Sequence, residues 1–136
     1  MIACVLHHVS IITANLERSL EFYRDVLGLK QIDRPPFDIA GAWLEAGPSQ
    51  VHLIDYPRGT YRDATSIDNN DIHFALRVGN FDETLSQLVE KGFSEDKPEG
   101  DPLRLLIRRK GLAGFPQLYL LDPDRHVIEI NSSGPS

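Results

Sequence analysis

Three histidines and one glutamate, His8, His52, His73 and Glu129, are the side chains with the most chemistry to offer. Each sits in a short apolar run: Leu6-His7-His8-Val9-Ser10-Ile11, Gln50-Val51-His52-Leu53-Ile54, Ile72-His73-Phe74-Ala75-Leu76 and Val127-Ile128-Glu129-Ile130. Imidazoles and a carboxylate are the donors a borderline divalent cation selects, and these four fall at matching places in two halves of a repeat. A metal site is the leading reading. Taken singly, a strand histidine is more often hydrogen-bonded or solvent-facing than metal-bound, and Glu129 between isoleucines could face outward. Agreement in phase between the two halves is what joins the four.

The elements that must position them can be read from the same repeat. A shift of 65 residues sets His8 on His73, Asn15 on Asn80, Leu16 on Phe81 and Leu20 on Leu85, and Gly28 meets Gly92 one residue out of phase. Leu16, Leu20, Tyr23 and Leu27 form a stripe that predicts a helix over residues 16–27, with Asn15 as N-cap, Glu17 at the positive end and Gly28 just past the last turn. The second helix starts after Asn80, with Glu83 in a capping-box position, Leu85, Leu88 and Val89 buried, and Gly92 closing it. Strands are expected near residues 29–32, 42–45 and 51–55 in the first half. In the second they are expected near 93–94, 103–108 and 117–121, then on the Glu129 run after Asp122-Pro123-Asp124. Residues 57–70 are polar and turn-rich and read as a linker; residues 97–102 are a second flexible stretch.

Strand alternation predicts which side chains share a face. His73, Ala75 and Arg77 oppose Ile72, Phe74 and Leu76, while Glu129 and Val127 oppose Ile128 and Ile130, so the donors can leave the helix-covered side together. By the same rule His7 points away from His8, and His126 is left at a turn end or surface. Arg77 could hold an anionic substrate or a salt bridge. Gln117 and Tyr119 share a face and could hydrogen-bond a substrate, and Trp43 or Tyr56 could supply an aromatic wall. Arg104, Arg108, Arg109 and Lys110 read as a solvated basic strand end.

Composition narrows the classes. The 136 residues suit one domain, and 41% hydrophobic with 25% charged residues is ordinary for a soluble globular protein. A net charge of −6 gives no broad basic field for nucleic acid. Cys4 is the only cysteine, which excludes an intrachain disulfide and a cysteine-rich zinc site. The N-terminal residues do not follow a signal-peptide pattern and no run reaches membrane-span length, so a cytoplasmic protein with a small-molecule substrate is expected, binding neither nucleic acid nor membrane.

Together these segments resemble the vicinal oxygen chelate superfamily, the glyoxalase, bleomycin-resistance and extradiol dioxygenase fold. The resemblance rests on the His8 run, on Asn15-Leu16-Glu17-Arg18-Ser19-Leu20-Glu21-Phe22-Tyr23-Arg24-Asp25-Val26-Leu27-Gly28-Leu29, and on Gln117-Leu118-Tyr119-Leu120-Leu121-Asp122-Pro123-Asp124 with the Glu129 run, covering nearly the whole chain. It implies an α+β fold of two βαβββ modules forming a cupped mixed sheet around a central cavity. Module one would span about 1–57, a linker about 58–70 and module two about 71–133 of a single domain. It also implies metal ligands on the first and last strands of the modules, the places of His8, His52, His73 and Glu129, for one divalent ion: zinc, nickel, cobalt, manganese or iron(II).

The activity implied is that of a lyase or isomerase stabilising an enediolate of a small oxygenated substrate, with Glu129 as proton carrier. Two alternatives stand beside it: a ring-cleaving extradiol dioxygenase using His8, His73 and Glu129, and a metal-free drug-binding protein of the bleomycin-resistance kind. A fosfomycin-modifying enzyme is a weaker fit, because no run of Lys, Ser and Thr surrounds the late strands. The resemblance implies a homodimer, with the site within one chain or shared across the two-fold axis. Ile12 and Tyr56 stand where glutathione-dependent members carry Arg and Asn, so glutathione dependence is not expected, and Arg125 replaces the usual glycine after Asp-Pro-Asp.

Overall fold

Each half of the chain folds as a strand, a helix and three further strands. The computed structural model describes residues 1–133 and divides into two units, Met1–Thr60 and Tyr61 onward. Unit 1 carries β1 (His8–Thr13), α1 (Leu16–Leu20), β2 (Lys30–Ile32), β3 (Gly41–Ala46) and β4 (Ser49–Asp55). Its sheet has the order β1-β4-β3-β2, with β1 parallel to β4 and the other pairs antiparallel. Unit 2 repeats the plan with β5 (His73–Val78), α2 (Phe81–Glu90), β6 (Leu106–Arg108), β7 (Gln117–Leu121) and β8 (Val127–Ser132), in the order β5-β8-β7-β6. The fold class is α+β, built on two four-stranded mixed sheets. Among the described residues no helix is long and apolar enough to cross a membrane.

The caps form as the sequence predicts. Asn15 and Asn80 are extended, and their side-chain oxygens accept from the amides of Arg18 at 3.1 Å and Glu83 at 3.0 Å, filling donors that the first turn leaves open. The helix expected over 16–27 is α-helical only to Leu20. Glu21–Val26 widen into a π turn, where the Leu27 amide reaches back five residues to the Phe22 carbonyl at 2.9 Å, and the adjacent aromatics Phe22 and Tyr23 are both buried. Gly28, at φ +75°, turns the chain out of the helix.

Three expectations for unit 2 need correction. Val89 is 52% exposed; the buried stripe of α2 runs through Phe81 and Leu88, with Leu85 half-buried, and Val89 lies off its edge. Residues 93–94 form no strand but a single bridge from Ser94 to Arg104, and the 103–108 strand shortens to Leu106–Arg108. Local turn bonds take the missing donors: the Leu103 amide goes to the Asp101 side chain at 2.8 Å and the Arg104 amide to the Asp101 carbonyl at 3.1 Å.

Alternation sorts each sheet into two faces. In unit 1, Ala42 and Leu44 pair with Leu53 and Val51, and all four are buried on the face that meets α1. Trp43 and His52, paired with each other, take the opposite face. In unit 2, Leu118 and Leu120 pair with Ile130 and Ile128 in the core, while Tyr119 pairs with Glu129 on the other side. The residues that could do chemistry thus lie opposite the packed aliphatics in both units.

The stretch read as a linker is bound into unit 2 from Tyr61 on. Arg62 pairs with Asp71 at 2.8 Å and donates to the Ser66 carbonyl at 2.7 Å, and Ile67 packs on Tyr119, Leu121 and Val127. In the turn between β7 and β8, the Asp122 side chain accepts from the amides of Asp124 and His126 at 2.9 Å each. Arg125 there has φ +69°, unusual for a residue with a side chain, and its Nε donates to the Arg62 carbonyl at 2.8 Å.

Candidate metal and substrate site

In unit 2 the strand register places His73, Arg77, Gln117, Tyr119, Glu129 and Asn131 on one face. His73 Nδ1 lies 2.8 Å from the Asp71 carbonyl, which can only accept, so Nδ1 carries a proton. His73 Nε2 then faces Glu129 Oε1 at 3.3 Å. A neutral imidazole would set a lone pair against a carboxylate oxygen there, an arrangement that needs a proton or a cation between the two. Neighbouring ligands about 2.1 Å from one octahedral ion stand about 3 Å apart, close to this spacing.

The other carboxylate oxygen is occupied. Glu129 Oε2 accepts from Asn131 Nδ2 at 2.6 Å and Gln117 Nε2 at 3.3 Å, and Asn131 is held in turn by Arg77 Nε at 2.8 Å. Backbone anchoring of an imidazole and amide anchoring of a carboxylate are the supports that orient metal ligands. Burial alone would raise the Glu129 pKa, but hydrogen bonds from Asn131, Gln117, Tyr119 and His73 outweigh it and hold the carboxyl below its ordinary value. Burial and the Glu129 charge push the Tyr119 phenol up.

In unit 1 the register brings His8, His52 and Trp43 to one face, and their rings form a column. Trp43 stacks on His52 with centroids 4.1 Å apart and 5° between planes, and His52 stacks on His8 at 4.0 Å and 15°. His52 Nε2 also bonds Gln50 Oε1 at 2.8 Å. Burial foremost, then electrostatic repulsion by His8, His7 and Arg34, lowers the His52 pKa and favours the neutral ring. These rings line a cavity of about 580 Å³ together with His7, Arg34, Asp38 and Phe37. His7 was expected to face away. It precedes the first residue of β1, so strict alternation does not reach it; its Nδ1 bonds His8 Nδ1 at 2.8 Å and its ring lines the same cavity.

The donor set fits a divalent ion unevenly. The His73 and Glu129 donors are spaced and braced as a pair of ligands. An imidazole binds metal along its ring plane, so His8 and His52, stacked flat, reach a common ion only if one ring leaves the stack. Within neither unit do three His, Cys, Asp or Glu side chains of the described residues gather as a ready metal site.

Of the other predicted substrate groups, Trp43 lines the unit 1 cavity. Arg77, Gln117 and Tyr119 are tied into the Glu129 network, with Arg77 also 4.6 Å from the centre of the Phe115 ring. Tyr56 is exposed past the end of β4 and does not line the cavity. Ile12 and Tyr56 both lie against Gly59, and the Arg58 guanidinium stands 5.9 Å from the centre of the Tyr56 ring. Sequence reasoning missed Asn131, which alternation from Glu129 would have found, and Arg34, which sits in a loop beside Pro35 and Pro36 and carries no periodic signal.

The sequence profile of the Glyoxalase/Bleomycin resistance protein/Dioxygenase superfamily matches residues 5–130, and the chain belongs to that superfamily. It is 31% identical over 127 residues to Glyoxylase I 4 of Arabidopsis thaliana, covering 92% of this chain and 68% of that protein. It is 25% identical over 134 residues to Metallothiol transferase FosB of Lysinibacillus sphaericus (strain C3-41), covering 93% and 81%. The crystal structure of a glyoxalase family protein from Bacillus anthracis matches with a TM-score of 0.75 at 18% identity, covering 97% of each chain.

Proposed function

We propose that the chain is a metal-dependent enzyme of the superfamily, a lyase or isomerase that moves a proton on a small oxygenated substrate. His8, His52, His73 and Glu129 would hold one divalent ion of zinc, nickel, cobalt, manganese or iron(II). The observation that carries this reading is the braced His73–Glu129 pair, 3.3 Å apart with the place of a proton or a cation between the two atoms. A divalent ion there would polarise a substrate carbonyl and make the adjacent carbon acidic. Glu129 would be the proton carrier: Oε1, the oxygen turned toward His73, would take the proton, while Asn131 and Gln117 keep Oε2 fixed. Arg77 acts through Asn131, and Tyr119 and Gln117 orient the carboxylate and the substrate beside it. Glutathione is not the expected co-substrate, since Ile12 and Tyr56 stand where the resemblance places Arg and Asn in glutathione-dependent members. The protein would work as a cytoplasmic homodimer on a small molecule, and the −6 charge weighs against nucleic acid.

Elemental analysis of the purified protein should find stoichiometric, chelator-removable metal, and His73→Ala or Glu129→Ala should lose it while keeping the wild-type circular dichroism. Wild-type protein that takes up no divalent ion would sink the reading and leave the metal-free binding protein. One observation favours a second enzyme class: His52 is engaged by Gln50 and by two flanking rings. That leaves His8, His73 and Glu129 as the three-ligand set an extradiol dioxygenase needs. Iron(II) dependence, oxygen uptake with catechols, and metal retention in His52→Ala would select it.

A further inference from the structure

We infer that the unit 1 cavity binds a small planar carboxylate, with the anion on Arg34 and the conjugated ring on the face made by Trp43 and His52. This names a substrate class for the site proposed above, and its test is arranged so that the two ideas can fail separately.

The flat surface comes from the register. Residues on neighbouring strands put Trp43, His52 and His8 in a column of nearly parallel rings, and Phe37 stands 6.1 Å from Trp43 at 46°, closing one side. Such walls favour a planar π system over a puckered aliphatic one of equal size, because offset stacking adds to the area buried. The cavity volume of about 580 Å³ lies within the range of small-molecule sites and admits one or two fused rings.

The charge comes from Arg34. One terminal nitrogen donates to the Ile39 carbonyl at 2.8 Å, and the guanidinium lies 4.8 Å from the centre of the Phe37 ring. Its Nε is buried and has no hydrogen-bond partner among the described residues. The ion pairs among those residues engage Arg24, Arg62 and Arg109, not Arg34. Gly41 makes the seat, since a Cβ there would come within 2.9 Å of Arg34 Cζ and Nε. A buried cationic N–H without an acceptor is costly, and a carboxylate is the acceptor whose geometry matches a guanidinium edge. Asp38 also lines the cavity and opposes an anion; it is exposed and its charge is hydrated, so it weakens the attraction without cancelling it.

The test uses metal-stripped protein, calorimetry and the indole N–H resonance of Trp43, the chain's single tryptophan. The probes are naphthalene-2-carboxylate, its neutral amide, and the saturated decahydronaphthalene-2-carboxylate. The aromatic acid should bind and shift the indole signal, with the amide and the saturated acid each weaker by about tenfold or more. Arg34→Gln should cost the acid about tenfold and leave the amide unchanged, and Asp38→Asn should tighten the acid. Absence of acid binding, or equal binding of acid and amide, overturns the proposal without any variant having to fold. Acid binding by a protein that takes up no metal would sustain this inference and sink the enzymatic one; metal uptake without acid binding would do the reverse.

Discussion

Asn131 sets how strong a base Glu129 can be. Its 2.6 Å bond to Oε2 stabilises the ionised carboxylate, and Arg77 aims that bond by holding the amide oxygen. Asn131→Leu should therefore raise the Glu129 pKa, read by carboxyl chemical-shift titration, and weaken metal retention by about 10–100-fold in a chelator competition. His52 gives a second prediction at this scale. Its folded pKa lies below the ordinary 6.5, so between the two values the unfolded chain binds more protons than the folded one. Its contribution to stability is complete above about pH 6.5 and is lost as pH falls through the folded value. Urea melts of metal-stripped protein should weaken from neutral to mildly acidic pH, and His52→Phe should flatten that part of the slope. At this scale the sequence was readable where strands made it periodic. His8, His52, His73 and Glu129 fall on the faces that alternation sets opposite the main aliphatic core, whereas Arg34 and His7 lie outside strands and escape it.

The secondary-structure elements were legible in proportion to their punctuation. Asn15, Gly28, Asn80 and Gly92 mark the helical segments because each residue type relieves a specific backbone problem at a helix end. The switch to a π turn at Glu21 leaves no mark in the sequence, since it reflects how Phe22 and Tyr23 are buried together and not any local preference. The strand expected at 93–94 failed for a similar reason: the Asp101 turn captures backbone donors that a ladder would have used. Asn80→Ala removes the acceptor for the Glu83 amide and should cost about 1 kcal/mol in urea unfolding. An unchanged midpoint would mean that solvent serves that amide equally well.

At the scale of the whole chain, the internal repeat is what made the superfamily visible in a single sequence. Matching positions in the two units do not carry matching residues. His8 and His73 correspond, but His52 answers to Glu129 and Trp43 to Tyr119, as their cross-strand pairings show. One unit therefore offers a flat aromatic surface and the other a hydrogen-bonded carboxylate. Under the proposed function a duplicated scaffold is divided between holding a ring and handling a proton, a division that composition and net charge could not reveal.

The left-handed Arg125 in the β7–β8 turn has a consequence for how the chain survives in a cell. Its guanidinium acts as a clasp on the stretch entering unit 2, and the strained backbone is tolerated because that clasp needs a side chain. Arg125→Gly would relax the turn but unfasten residues 61–66. Limited digestion with a nonspecific protease should then cut there severalfold faster, even if the thermal midpoint hardly moves.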